Sequence, residues 1–280
     1  MVQINANDQS EAVTITTRPS GFYQGFNPVV ALMPKILVAA LILWVGLSPS
    51  AAGQVLLDVQ TWSTQNFGGW YVYVTAFYTI VCLTLGIWPR TAHVKLGQAG
   101  DAPEFSMFTW LSMMFGAGIG IGMLTYSTAE PIFHFANNPD TIKGLTTGLD
   151  EDNVRNAYKW AMLHYGLTPW ACYGVVGISL GYLSYNRGLP LTIRSALQPL
   201  FGRAMSGGFG HVVDIVAILA TIVGLSVTIG YGVSQFASGL FNISGADWLV
   251  GVGGKPTLLA QLMGLILIIS ASCLSAMSGL

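Results

Sequence analysis

The chain is 280 residues long, 52% hydrophobic and only 8% charged, with a formal net charge of −1. Soluble domains carry about 25% charged residues, so this composition excludes a chain whose surface is mostly wetted, and the balanced charge gives no electrostatic handle for nucleic acid. The three cysteines, Cys82, Cys172 and Cys273, all fall in apolar runs, an odd number at positions that form neither a disulfide framework nor a metal-ligand spacing.

Residues 1–28 read as a polar, disordered cytoplasmic tail without a basic-then-apolar leader, and 29–280 as a transmembrane domain. No Asp, Glu, Lys or Arg occurs in 36–57, 59–89, 105–129, 160–186, 215–246 or 256–280. A spanning helix needs about 20 predominantly apolar residues, and none of these runs alternates as a barrel strand would. Backbone groups in lipid must be satisfied within their own segment, which leaves helices. The expected spans are 29–49, 68–88, 107–128, 156–184, 212–240 and 258–280. With the N-terminus inside, Arg18, Lys35, Arg90, Lys95, Arg187, Arg194 and Arg203 lie on the inner side, against Lys143, Arg155, Lys159 and Lys255 outside. That asymmetry is the expected one for a cell (inner) membrane protein. The chain stops at Ser278-Gly279-Leu280 at the end of a spanning run, so the reading expects only the first part of a larger machine.

The third span carries Gly116-Ala-Gly118-Ile119-Gly120-Ile-Gly122, four glycines at every second position. Each costs a helix interior about 1 kcal/mol relative to alanine, so one reading is a helix broken at membrane depth. Its freed carbonyls would face a cation and its half-helix ends a charged substrate. The other reading is close helix packing, since Gly116/Gly120 and Gly118/Gly122 are both small-xxx-small pairs. A dinucleotide fingerprint lacks its strand–turn–helix setting.

In the fourth span Tyr165, Trp170 and Tyr173 lie within roughly a 140° arc if one helix carries all three at about 100° per residue. Pro169 would distort that helix locally. Such π-faces suit a cation without hydrogen-bond donors, trimethylammonium above all; an interfacial aromatic belt is the alternative. His164, beside them, reads as a packed histidine rather than a proton carrier. Two acidic residues complete the candidates. Asp214 is expected to stabilise the N-terminus of the fifth span, and Glu130, before Pro131, to form a structural or gating pair. No nucleophile–base pair or zinc spacing points to an enzyme.

Taken in order, several stretches resemble the betaine/choline/carnitine transporter family. They are Gly116 to Gly122 with Thr128-Ala-Glu-Pro131; His164-Tyr-Gly-Leu-Thr-Pro-Trp-Ala-Cys-Tyr173; Arg187-Gly-Leu-Pro-Leu-Thr-Ile-Arg194 through Gly202; and Val213-Asp-Ile215 followed by Ala220-Thr221. The resemblance covers about residues 20–280. It implies an all-α, LeuT-like inverted-repeat bundle, first repeat only, preceded by two extra helices. It further implies alternating access, a homotrimer, and a small methylated ammonium or sulfonium substrate: glycine betaine, choline, carnitine or an analogue. Coupling would be to sodium, to protons, or to exchange.

Residue by residue, the resemblance puts Trp170 and Tyr173 in an aromatic box, with Tyr165 where tryptophan is commoner and Thr168 where histidine is common. Gly118, Ile119, Gly120 and Gly122 would border the substrate, and Gly116 and Ile119 would offer carbonyls to a sodium ion. Gly122 replaces the aspartate of proton-coupled choline carriers, which favours betaine-like substrates and sodium. Thr221 matches the first of two threonines of a second sodium site; Leu225 occupies the second place and cannot ligate. Sodium-coupled uptake is therefore the leading expectation. Proton-coupled choline uptake or carnitine-type exchange is the runner-up, and a non-transporting membrane osmolyte sensor is the alternative of a different class.

Overall fold

The computed structural model describes residues 14–98, 100–118 and 120–278. Among them every regular element is helical, and four helices are long and apolar enough to cross a membrane. The fold is all-α and polytopic, and the protein is an integral membrane protein. It divides into two compact units: the described residues up to Ala102 with Lys159–Ala220, and Pro103–Tyr158 with the described residues from Thr221.

In the first unit α1 (Pro28–Leu47) starts where Pro28 fixes φ and the Asn27 side chain accepts from the Val29 and Val30 N–H groups at 3.1 and 3.2 Å. Upstream, Arg18 N–H donates to the Phe26 carbonyl and Gly25 N–H to that of Arg18, both at 3.0 Å, so this stretch of the expected disordered tail is a hydrogen-bonded turn. Ser48 alone separates α1 from α2 (Pro49–Ile87), which packs on α7 (Leu167–Gly181).

The loop after α2 is tied to the helical turn Tyr182–Asn186, which follows α7, by two amides that reach past each other. Gln98 Nε2 donates to the Tyr185 and Asn186 carbonyls (2.8 and 2.9 Å), and Asn186 Nδ2 to those of Lys95 and Gly97 (3.0 and 3.1 Å). The latter part of α6 (Val154–Tyr165), α7 (Leu167–Gly181), α8 (Ile193–Phe201) and the first third of α9 (Gly208–Ser244) complete this unit.

The second unit holds α3 (Met107–Gly118), α4 (Ile121–Ala136), the single turn α5 (Pro139–Ile142), the start of α6, the rest of α9 and α10 (Leu258–Ser278). Its loop between α4 and α6 is organised by two buried asparagines. Asn138 Nδ2 donates to the His134 carbonyl and to Asn153 Oδ1 (2.7 and 2.9 Å), while Asn153 Nδ2 donates to the Phe135 carbonyl (2.7 Å). The orphan carbonyls at the end of α4 thereby find donors. Ala237, Leu249 and Ala260 form a small apolar core joining α9 to α10.

Of the six expected spans, the first and last match α1 and α10, and the fifth lies inside the longer α9. The second is extended: α2 runs unbroken from Pro49, because no proline interrupts it before Ile87 and threonines such as Thr64 and Thr75 satisfy their hydroxyls on their own helix. The third and fourth are each two helices, α3/α4 and α6/α7.

Candidate functional site

The glycine run divides the third span between α3 and α4. Gly116 and Gly118 are helical at the end of α3; Gly120 is extended (φ −78°, ψ 178°) and caps α4; Gly122 is already in its first turn. Ile119 lies outside the described residues. A β-carbon at Gly116 or Gly122 would meet no atom within 4 Å among the described residues, so the close-packing reading finds no support at these two positions.

The break has direct electrostatic consequences. The last carbonyls of α3, Gly116 among them, have no helical N–H beyond them, and the first N–H groups of α4 have no helical carbonyl before them. A partial negative charge therefore ends α3 and a partial positive one begins α4. Carbonyl oxygens are hard ligands of the kind a sodium ion takes, so the chemistry of Gly116 fits the implied ion. Thr221 and Leu225 stand one turn apart on α9; they bring a single hydroxyl and a half-exposed isobutyl group, so this pair does not fit a second ion.

The aromatic candidates belong to the first unit. Trp170 and Tyr173 share α7 with ring centroids 6.3 Å apart, tilted by 48°, and both faces are open, at 42% and 74% exposure. Tyr165 does not continue their helix, which corrects the single-helix arc. α6 ends at Tyr165, and Gly166 turns the chain at φ −71°, ψ −115°, its N–H donating to the Met162 carbonyl at 2.8 Å. A β-carbon at Gly166 would overlap that carbonyl oxygen. Pro169 sits in the first turn of α7, where its missing N–H costs nothing. The Tyr165 ring meets His164 edge-on at 5.2 Å. Thr168 directs its hydroxyl to the Leu163 carbonyl (2.9 Å), stapling the two halves across the turn.

Glu130 is buried on α4, its Oε1 3.4 Å from Nε2 of His134 one turn on, in keeping with a structural pair. Asp214 is not at a helix N-terminus: α9 begins at Gly208, and its first turn contains no acidic residue. Asp214 instead binds Arg194, accepting from Nε at 2.6 Å and from the backbone N–H at 3.1 Å, with Arg194 fully buried. A lone charge inside the protein and a lone arginine in a loop are visible in the sequence, but nothing local joins residues 20 apart. The Asn138–Asn153 clasp escaped the sequence reading for the same reason.

The sequence matches, over residues 29–280, the family described as BCCT, betaine/carnitine/choline family transporter. The high-affinity choline transport protein of Escherichia coli (strain K12) is 41% identical over 181 residues, which are 64% of this chain and 26% of that protein. The osmo-dependent choline transporter BetT2 of Acinetobacter baylyi is 36% identical over 214 residues, 76% of this chain and 30% of its own length. The glycine betaine transporter OpuD of Bacillus subtilis is 33% identical over 244 residues, 87% and 45% respectively. The chain thus spans less than half the length of these curated relatives. With a match over nearly all of its length, glycine-broken third span and aromatic fourth span included, the chain belongs to the betaine/carnitine/choline transporter family.

Proposed function

We propose that the protein takes up a methylated ammonium osmolyte such as glycine betaine by alternating access, coupled to sodium. It would do so as a homotrimer in the inner membrane with a cytoplasmic N-terminus. The observation that carries this reading is the third span split at Gly120; the same chain exposes the Trp170 and Tyr173 side chains on α7. A trimethylammonium group offers no hydrogen-bond donor and is recognised by ring faces, at about 1–2 kcal/mol per desolvated ring. The substrate carboxylate suits the N-terminus of α4, and the Gly116 carbonyl would hold the ion. The ion adds positive charge beside a zwitterion; the remaining work of the chain is to orient the substrate and exclude water.

A second reading, proton-coupled choline uptake, is favoured by Leu225, which removes a hydroxyl from the second ion position, and by relatives named for choline. Uptake of labelled glycine betaine and choline separates the two, measured with the complete protein in cells lacking other osmolyte carriers and with sodium present or replaced by potassium. Sodium-dependent betaine uptake supports the first reading; sodium-independent choline uptake moves the protein to the second. Trp170→Ala is expected to raise the half-saturation constant by about 5- to 30-fold, and unchanged transport would sink the aromatic assignment.

A further inference from the structure

Arg194 lies on α8 with no exposed surface, and its guanidinium is shared among three partners. Nε donates to Asp214 Oδ2 (2.6 Å), Nη1 to the Met205 carbonyl (3.4 Å), and Nη2 lies 2.9 Å from Nδ1 of His211. A guanidinium has donors only. The contact with His211 therefore requires Nδ1 to accept, which puts the ring proton on Nε2 and leaves the imidazole neutral. The backbone makes room for this cage: a β-carbon at Gly210 would overlap the Met205 carbonyl oxygen and lie 3.2 Å from Nη1.

We propose that His211 is a proton-binding site that governs the attachment of α8 and the turn at Gly202–Ser206 to the start of α9. The neutral ring completes the cage around Arg194. A proton added at Nδ1 turns the acceptor into a donor and sets two cations face to face, so the ring leaves. The other charged residues on the three segments involved are Arg194 of α8, Arg203 of the turn, and Asp214 three residues after His211 on α9. Two of these are cations. Asp214 is acidic and already serves Arg194 through both oxygens, so an imidazolium drawn to it competes with the guanidinium for the same carboxylate and loosens the cage in the same direction. His211 is half-buried, so a proton can reach its ring from water. By the charge asymmetry of the sequence this corner faces the cytoplasm, so the proton would report cytoplasmic acidification. The inference is independent of which substrate is carried.

The test is hydrogen–deuterium exchange of residues 193–206 in the full-length protein in lipid nanodiscs, at about pD 8 and about pD 5.5, corrected for intrinsic exchange. Acidification is expected to lower protection of this segment in the parent by about tenfold or more, the size of one charge-assisted hydrogen bond. His211→Asn, whose amide oxygen replaces Nδ1 as acceptor and does not titrate, should stay protected at both values. His211→Lys, always cationic, should be unprotected at both. Unchanged protection in the parent overturns the proposal, as does a His211→Asn variant that loses protection with acid as the parent does, or a fully protected His211→Lys variant.

Discussion

Replacing Asp214 by Asn should destabilise the protein far more than an isosteric change of one atom suggests. Arg194 has no access to water, and Asp214 meets it through both oxygens, at 2.6 Å to Nε and 3.1 Å to the backbone N–H. In the variant the amide oxygen still serves the backbone, but an NH₂ faces Nε–H and the guanidinium charge is left without its counter-ion. Breaking a buried pair on one side costs about 3–5 kcal/mol, which for a domain of this size lowers the unfolding midpoint by about 10 °C. Intrinsic fluorescence of the 8 tryptophans during a heating ramp, at fixed scan rate and with size-exclusion controls, reads the shift. Replacing both partners with apolar residues, Arg194→Met with Asp214→Leu, removes the stranded charge and should recover most of the loss. A single variant melting within about 1 °C of the parent, or a double variant melting below the single one, would refute the reasoning.

Three further outcomes can be checked. Gly166→Ala forces a β-carbon onto the Met162 carbonyl, so the turn between α6 and α7 must open; the midpoint should drop by the equivalent of about 2 kcal/mol or more, with uptake reduced alongside it. Asn153→Ala removes the acceptor of one Asn138 Nδ2–H and of the Thr146 hydroxyl, while the Phe135 carbonyl keeps the Leu149 N–H; a loss of about 1–3 kcal/mol is expected, with faster proteolytic nicking within residues 137–153. Gly122→Asp finds open space for its side chain and puts a titratable carboxylate in the first turn of α4; on the sodium-coupled reading sodium dependence of uptake should weaken, and an unaltered ion response would reject that role for the position.

The helical class and the interruption of the third span were legible because both follow from one-dimensional properties. Charge-free runs of this length need lipid to cover them, and four alternating glycines admit either a broken helix or close packing, of which the structure shows the break. The fourth-span break was misplaced because proline is the conspicuous breaker in sequence, whereas the actual turn needs a missing β-carbon at Gly166, a requirement set by the Met162 carbonyl one turn earlier. α2 begins well before the expected second span and runs through Gln54, Asp58, Gln60 and Asn66, because polarity alone does not end a helix. The Arg194 cage and the asparagine clasp were invisible because their partners meet only after the chain has folded back. The family resemblance reached the aromatic and glycine residues because those segments are contiguous motifs.

One helix has a mechanical consequence. At 1.5 Å per residue the 39 residues of α2 make a rod of about 58 Å, against a hydrocarbon layer of about 30 Å. Even at a tilt of about 40° its vertical rise is near 45 Å, so a stub of about 15 Å stands clear of the hydrocarbon. The polar side chains between Gln54 and Asn66 identify the stub as the N-terminal end, the end that Ser48 couples to α1. Because stub and buried shaft are one unbroken helix, a bilayer that thins and changes the tilt by about 10° moves that end, and the end of α1 tied to it, by roughly 10 Å. Membrane thickness is thereby converted into lateral travel at the water interface.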